Sequence, residues 1–224
     1  MSHDGAAAQD GQARRHFGVH PAIVTNIVDP DNLGRIQVKL PWLGNAASNA
    51  VHTWATLCSP YADNDQGLQV LPEVDTQVLV AFEGGNLRRA YILGSTWNGV
   101  ESQPESPAAP NNKRLFKSRS GSLLEFDDTQ GAAKVTLSMK SGHTVTLDDA
   151  AQQVTIQHSN GCSITMTVAG EIQIQANASV EVTAPALNVH AATSTFDGII
   201  NCTSVICSTG VVSPSYTPGA GNIW

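Results

Sequence analysis

From Leu123 onward the chain alternates. Val145 and Leu147 stand among Thr144, Thr146 and Asp148. Val154 and Ile156 stand among Gln153, Thr155 and Gln157, and Ile164, Met166, Ile172 and Ile174 continue the pattern. A period of two puts apolar side chains on one face of a strand and polar ones on the other. This places strands at residues 123–126, 135–139, 144–147, 154–157, 164–168, 171–175, 180–183 and 187–190, with no helix to cover them. Ser120-Gly121, Ser141-Gly142 and Asn160-Gly161 recur at intervals of about 20 residues, a weak internal repeat.

A run of strands must hide its edges, and charged residues, Lys above all, are the usual guard. Here the last Lys or Arg is Lys140, and after Asp149 the charged side chains are Glu171, Glu181 and Asp197 alone. Two arrangements satisfy the pattern. A single-chain β-solenoid would keep its period and carry a polar cap, yet the segments shorten and no amphipathic capping helix follows. Alternatively, identical chains wind together into a shared prism. Val, Ile, Leu and Met fill its axis, Thr, Gln, Ser and Asn face water, and each edge pairs with a neighbouring copy. That solution makes the oligomer obligatory.

The 224 residues suffice for one large or two small domains. Residues 1–16 are small and polar and read as a disordered leader. In residues 17–98, "VHPAIVTNIVDPDNLGRIQVKLPWL" holds two strands around a Pro/Gly turn, and a third strand surrounds Trp54. "QVLVAFEGGNLRRAYILGSTWN" is a hairpin with Glu83 to Asn86 at its tip. Five short strands in such a length predict a small closed barrel of the OB type. Residues 99–112 form a Pro- and Ser-rich linker, residues 113–212 a β-rich domain, and residues 213–224 a tail that Pro and Gly keep out of regular sheet.

No stretch reaches the length of a membrane-spanning helix, and "MSHDGAAAQDGQARRHFG" lacks the apolar core of a secretory signal. A formal charge of -7, with the later part almost devoid of Lys and Arg, argues against nucleic-acid binding. Cys58, Cys162, Cys202 and Cys207 form no CxxC pair and read as small, buried, reduced side chains. The seven histidines match no metal motif; in a threefold assembly His158 or His190 could meet its copies on the axis around an ion. Asp127-Asp128 and Asp148-Asp149 follow strands at equivalent points of the repeat and read as turn residues, with cation binding and catalysis as the alternatives. Lys113, Arg114, Lys117 and Arg119 form a basic run where the linker meets the β-rich domain, read as a solvated collar or else a docking contact.

The segments "GVHPAIVTNIVDPDNLGRIQVKLPWL", "WATLCSP", "LPEVDTQVLVAFEGGNLRRAYILGSTWN" and "NKRLFKSRSGSLLEFDDTQGAAKVTL" resemble the central spike proteins of contractile injection machines. These are phage baseplate spikes, the cell-puncturing part of type VI secretion VgrG proteins, and the spikes of extracellular tail-like particles. The resemblance runs from about Phe17 to the end of the sequence. It implies an all-β chain: an N-terminal OB-fold barrel followed by a trimeric, triple-stranded β-helix needle. Departures from the family pattern are informative. Only 16 residues precede the barrel, so the hub is expected to be a separate protein. No muramidase is inserted between barrel and needle, and no His-x-His pair ends the chain.

What the resemblance implies about function is mechanical. The expected partners are two further copies in a homotrimer, a baseplate hub protein, a PAAR-type tip protein and, transiently, the target envelope. No nucleic acid, cofactor, metal or catalytic residue is expected, and the chain is read as a non-enzyme. "YTPGAGNIW" ends on an apolar pair, so Tyr216, Pro218, Ile223 and Trp224 are the expected tip-protein interface, unless Trp224 folds back to close the trimer. Assembly in the bacterial cytoplasm and action outside it, at a target envelope, follow from the same resemblance. Two other classes stand beside it: a glycan- or envelope-polymer-binding module using Trp42, Trp54 or Trp97, and a lytic enzyme.

Overall fold

The structure is a computed structural model that describes residues 15–44 and 50–213. Seven strands make the first unit: β1 (Val19–Asn26), β2 (Arg35–Leu40), β3 (Val51–Leu57), β4 (Ala62–Asp63), β5 (Gln66–Gly67), β6 (Gln77–Phe82) and β7 (Ala90–Ser95). Five of them close a barrel in the order β1-β2-β3-β7-β6, and β4 and β5 form a separate exposed hairpin arm. Closure runs through the parallel pair β3 and β7, with Ala55 opposite Ala90 and Leu57 opposite Ile92. This is the expected OB-like barrel. The one helical turn among the described residues is the 3-10 turn Glu83–Gly85 at the tip of the β6–β7 hairpin.

Alternation builds the core. Ile36, Val38 and Leu40 of β2 are buried, with Val24 of β1, Val78 and Val80 of β6 and Ile92 of β7. Most are small or β-branched, as the narrow interior of a small barrel requires. The loop between β1 and β2 is locked by one carboxylate. Asp29 accepts main-chain N–H groups from Asp31, Leu33 and Arg35 at 3.1, 3.1 and 3.2 Å. It also takes both Nε and Nη2 of Arg35 at 2.8 Å. The Arg35 guanidinium, helped by those N–H groups, holds the Asp29 carboxyl well below the usual range.

The second unit is a seven-stranded antiparallel meander in chain order. Its strands are β8 (Lys113–Lys117), β9 (Leu123–Asp127), β10 (Lys134–Ser138), β11 (Thr144–Asp148), β12 (Gln153–Gln157), β13 (Ser163–Met166) and β14 (Ile172–Gln175). The Ser-Gly and Asn-Gly repeat marks every second hairpin turn. In the turn from β10 to β11, Met139 N–H donates to His143 O and Gly142 N–H to Met139 O, both at 2.9 Å. Gly142 sits there at φ 93, which a side chain would strain. The same bond pair recurs in the turns holding Gly121, Gly161 and Gly170.

Beyond β14 the expectation and the structure part. Strands were expected at residues 180–183 and 187–190, but residues 176–212 join no ladder within the chain. They run as bend-free stretches broken at residues 177–178, 185, 192, 197–198, 203 and 208–209. The reason is physical: a strand is defined by a hydrogen-bonded neighbour, and one copy of the chain supplies none here.

Residues 99–112 hold no regular element. Arg15 and His16, assigned to the leader from sequence, reach the barrel: Arg15 Nη1 donates to Gly84 O at 3.2 Å and His16 N–H to Gly85 O at 2.9 Å. Arg119, in the turn from β8 to β9, pairs with Glu73 near the base of β6 at 3.1 Å.

Candidate functional site

The register of the meander sorts its side chains into two faces. One cross-strand row reads Arg114, Phe126, Val135, Leu147, Val154, Met166 and Ile172. The row two residues along reads Phe116, Leu124, Leu137, Val145, Ile156, Ile164 and Ile174. Both rows project to one side, and Arg114 is the single polar member. The row between them, on the opposite side, reads Leu115, Glu125, Thr136, Thr146, Thr155, Thr165 and Gln173.

The apolar side faces nothing in its own chain. Phe116, Leu124, Phe126, Leu137, Leu147, Ile156, Ile164, Met166, Ile172 and Ile174 are between 36% and 67% exposed. The Thr row is half-buried among its own neighbours. This inverts the order of an ordinary solvated sheet. Covering these ten side chains is worth on the order of 10 kcal/mol per chain, at about 1 kcal/mol for each half side chain removed from water.

The segment after β14 repeats the problem for the backbone. Residues 178–212 are exposed throughout, and among the described residues they make no main-chain hydrogen bond to one another or to the sheet. Val180, Val182, Leu187, Val189, Ile199 and Ile206 are all more than half exposed. Both N–H and C=O groups and apolar side chains are presented outward together, as in a strand whose partner lies elsewhere.

The other sequence candidates resolve as follows. Asp127 Oδ1 accepts the main-chain N–H of Thr129 at 3.0 Å and its hydroxyl at 2.5 Å, and Asp148 Oδ1 accepts Ala151 N–H at 2.8 Å. The hydrogen bonds from Thr129 hold the Asp127 carboxyl below its usual range. Asp128 pairs with Arg114 at 3.0 Å. These are turn and surface-pair geometries. The basic run is largely neutralised: Lys113 pairs with Glu105 at 3.3 Å, and Arg119 with Glu73 at 3.1 Å.

His158 lies in a row with Met139, His143 and Cys162 that continues the apolar face. Its ring is 4.2 Å from that of His143, a pairing sequence reasoning missed because the two come from different turns. Both Nδ1 atoms accept main-chain N–H groups, from Ser159 and Asn160, at 3.2 Å. His190 stands apart in the segment after β14. No group of three or more His, Cys, Asp or Glu gathers among the described residues in a way that could hold a metal ion.

Cys58, Cys202 and Cys207 are free but exposed, and Cys162 is half-buried, so burial within one chain does not account for them. Trp42 donates Nε1–H to Pro21 O at 2.9 Å and stacks on His20, and Arg35 lies over Trp54. Trp97 remains exposed. The expected tip residues Tyr216, Pro218, Ile223 and Trp224 lie outside the described residues. No helix of the described residues is long and apolar enough to cross a membrane.

Residues 20–97, the barrel, match the family model of the type VI secretion system/phage-baseplate injector OB domain. The chain is 25% identical over 113 residues to the type VI secretion system spike protein VgrG3 of Vibrio cholerae, covering 48% of this chain and 11% of that one. It is 25% identical over 121 residues to spike protein VgrG2a of Pseudomonas aeruginosa, covering 50% and 14%. It is 25% identical over 132 residues to VgrG4b of the same species, covering 54% and 16%. The chain thus spans between 11% and 16% of the length of these relatives.

Proposed function

We propose, from the premise that this chain is a VgrG-like spike protein of a contractile injection system, that three copies assemble into the piercing spike itself. The observation that carries the reading is the uncovered apolar face of the meander, continued by a segment whose backbone has no partner in its own chain. Two sheets packed face to face would cover the face but leave residues 178–212 unpaired. Three copies winding about one axis supply both needs: three apolar faces enclose a dry core, and each bend-free run finds a strand in its neighbour. The bends, spaced several residues apart, mark corners of such a prism.

In this reading the barrels form a collar that seats on the baseplate hub at the end of an inner tube. The needle below is stiff because its hydrogen bonds run continuously across chains over an apolar axis. Contraction drives it through a target envelope, which takes force and no bond-breaking chemistry. The particle is assembled in the bacterial cytoplasm and acts outside it. Residues Tyr216, Pro218, Ile223 and Trp224 offer an apolar platform for a PAAR-type tip protein.

Electron cryomicroscopy of the assembled particle tests the placement. A threefold density of barrel and needle beneath the tube supports it, and the protein's absence from the baseplate contradicts it. Deleting residues 216–224 and testing capture of a purified tip protein addresses the apex. Unchanged capture removes these residues from the interface.

A further inference from the structure

The barrel has two poles, and the topology says which faces the needle. β6 runs from Gln77 to Phe82 and β7 returns from Ala90 to Ser95, with Val78 opposite Ser95. The chain leaves Ser95 toward the needle, and Glu73, just before β6, pairs with Arg119 of the first needle turn. The Gln77–Ser95 end is therefore the needle-side pole. The tip Glu83–Gly85 and the residues after it form the opposite pole.

Charge is divided between these poles. The needle-side loops carry Asp29, Asp31, Asp63, Asp65, Glu73 and Asp75. Arg35 neutralises the first two. The far pole carries Arg15, Arg88 and Arg89 around a hollow of about 500 Å³, with Glu83 as its one carboxylate. Glu83 pairs with Arg89 at 2.8 Å. Arg15 spends one nitrogen on Gly84 O at 3.2 Å. The Arg88 side chain is exposed and has no ion partner among the described residues. His52 lines the adjoining hollow with Arg88 and Arg89.

The pole is also held in shape. Gly85 is buried at φ 76, and a Cβ there would stand 2.9 Å from Arg15 Cβ and 3.0 Å from His16 N. That close approach, with the bond from Arg15 to Gly84 O, sets Arg15 beside the tip. In a chain of formal charge -7, a basic pole on the side away from the needle marks a surface with an oppositely charged partner.

We propose that this far pole is a docking surface for an acidic protein surface, presented by the hub in the reading given above, on which the inference rests. Three copies set nine arginines in a ring around the axis. A long polyanion such as DNA fits less well, because the needle-side pole and the chain's net charge repel whatever extends past the ring. Arg15, Arg88 and Arg89 thus set register and rate of seating through charge.

The experiment measures binding of the hub protein of the same machine to the full-length spike, across a salt series. Wild type is expected to bind, and to weaken by about tenfold or more between about 50 and 300 mM salt. Arg15→Glu/Arg88→Glu/Arg89→Glu is expected to lose about a hundredfold or more while keeping the wild-type mass and circular dichroism. Arg88→Glu alone, which breaks no bond seen in the structure, is expected to lose about tenfold and guards against a fold defect in the triple variant. Wild-type hub binding that Arg88→Glu and the triple variant leave unchanged overturns the inference while sparing the spike reading. Absence of hub binding by wild type overturns the seating role itself. Binding of duplex DNA as tight as that of the hub, lost in the same variants, overturns the choice of partner.

Discussion

Ile156→Asp and Thr155→Asp place the same charge on adjacent residues of one strand, on opposite faces of the sheet. Ile156 is 46% exposed in the chain and lies between Val145 and Ile164, within the apolar face. Assembly removes the remaining half from water, worth about 1 kcal/mol per copy and about 3 kcal/mol per trimer. Burying a carboxylate without a partner adds several kcal/mol per ion. Over three copies the total exceeds about 10 kcal/mol, roughly seven powers of ten in the assembly constant. Thr155 lies between Thr146 and Thr165 on the polar face, where a carboxylate stays in water. Light scattering at micromolar concentration is expected to show a trimer for Thr155→Asp and none for Ile156→Asp. Ile156→Ala, which lacks the charge, is expected to weaken the trimer by about a hundredfold. The face assignment is refuted if Ile156→Asp assembles like wild type, or if both charges disrupt equally.

Hydrogen exchange on the assembled protein is expected to show main-chain amides of residues 178–212 protected by several orders of magnitude, although they have no acceptor in their own chain; exchange at free-chain rates would remove them from any ladder. Asp29 has a carboxyl pKa depressed by Arg35, so its contribution to stability is full above the unfolded carboxyl pKa of about 4 and is lost as pH falls below it. Thermal melting across that range is therefore expected to fall less steeply for Asp29→Asn than for wild type, and equal slopes would contradict the lock. Gly85→Ala forces a side chain into the left-handed region against Arg15 and is expected to cost about 1–2 kcal/mol, read as a melting point several degrees lower.

Much of this was legible because alternation is a local signal. Ile36, Val38 and Leu40 announced a half-buried strand, and the structure buries all three. The Ser-Gly spacing announced turns at Gly121 and Gly142, where the hairpins lie. The Asp127 and Asp148 turn roles followed from their places after strands, and their hydrogen bonds agree. Three things were not legible. Asp29 read only as part of the Pro/Gly turn and Arg35 as the polar start of the next strand, because a carboxylate gathering five donors depends on where the loop folds back. The His143–His158 contact joins two turns that only the register brings together. The charge division of the barrel depends on which strand ends share a pole, and no window of sequence contains that. The strands expected at residues 180–183 and 187–190 mark a different limit. The alternation there is real, but the neighbour that would make it a ladder is absent from one chain.

Everything in the functional reading turns on the number of copies, and mass in solution addresses it most directly. Light scattering on the wild-type protein at micromolar concentration should give three times the 23.5 kDa of one chain, with no monomer on dilution. A stable monomer of 23.5 kDa would contradict the account. It would mean that the apolar face and the unpaired segment are covered within one chain, as in a solenoid, and the spike reading would lose its physical basis.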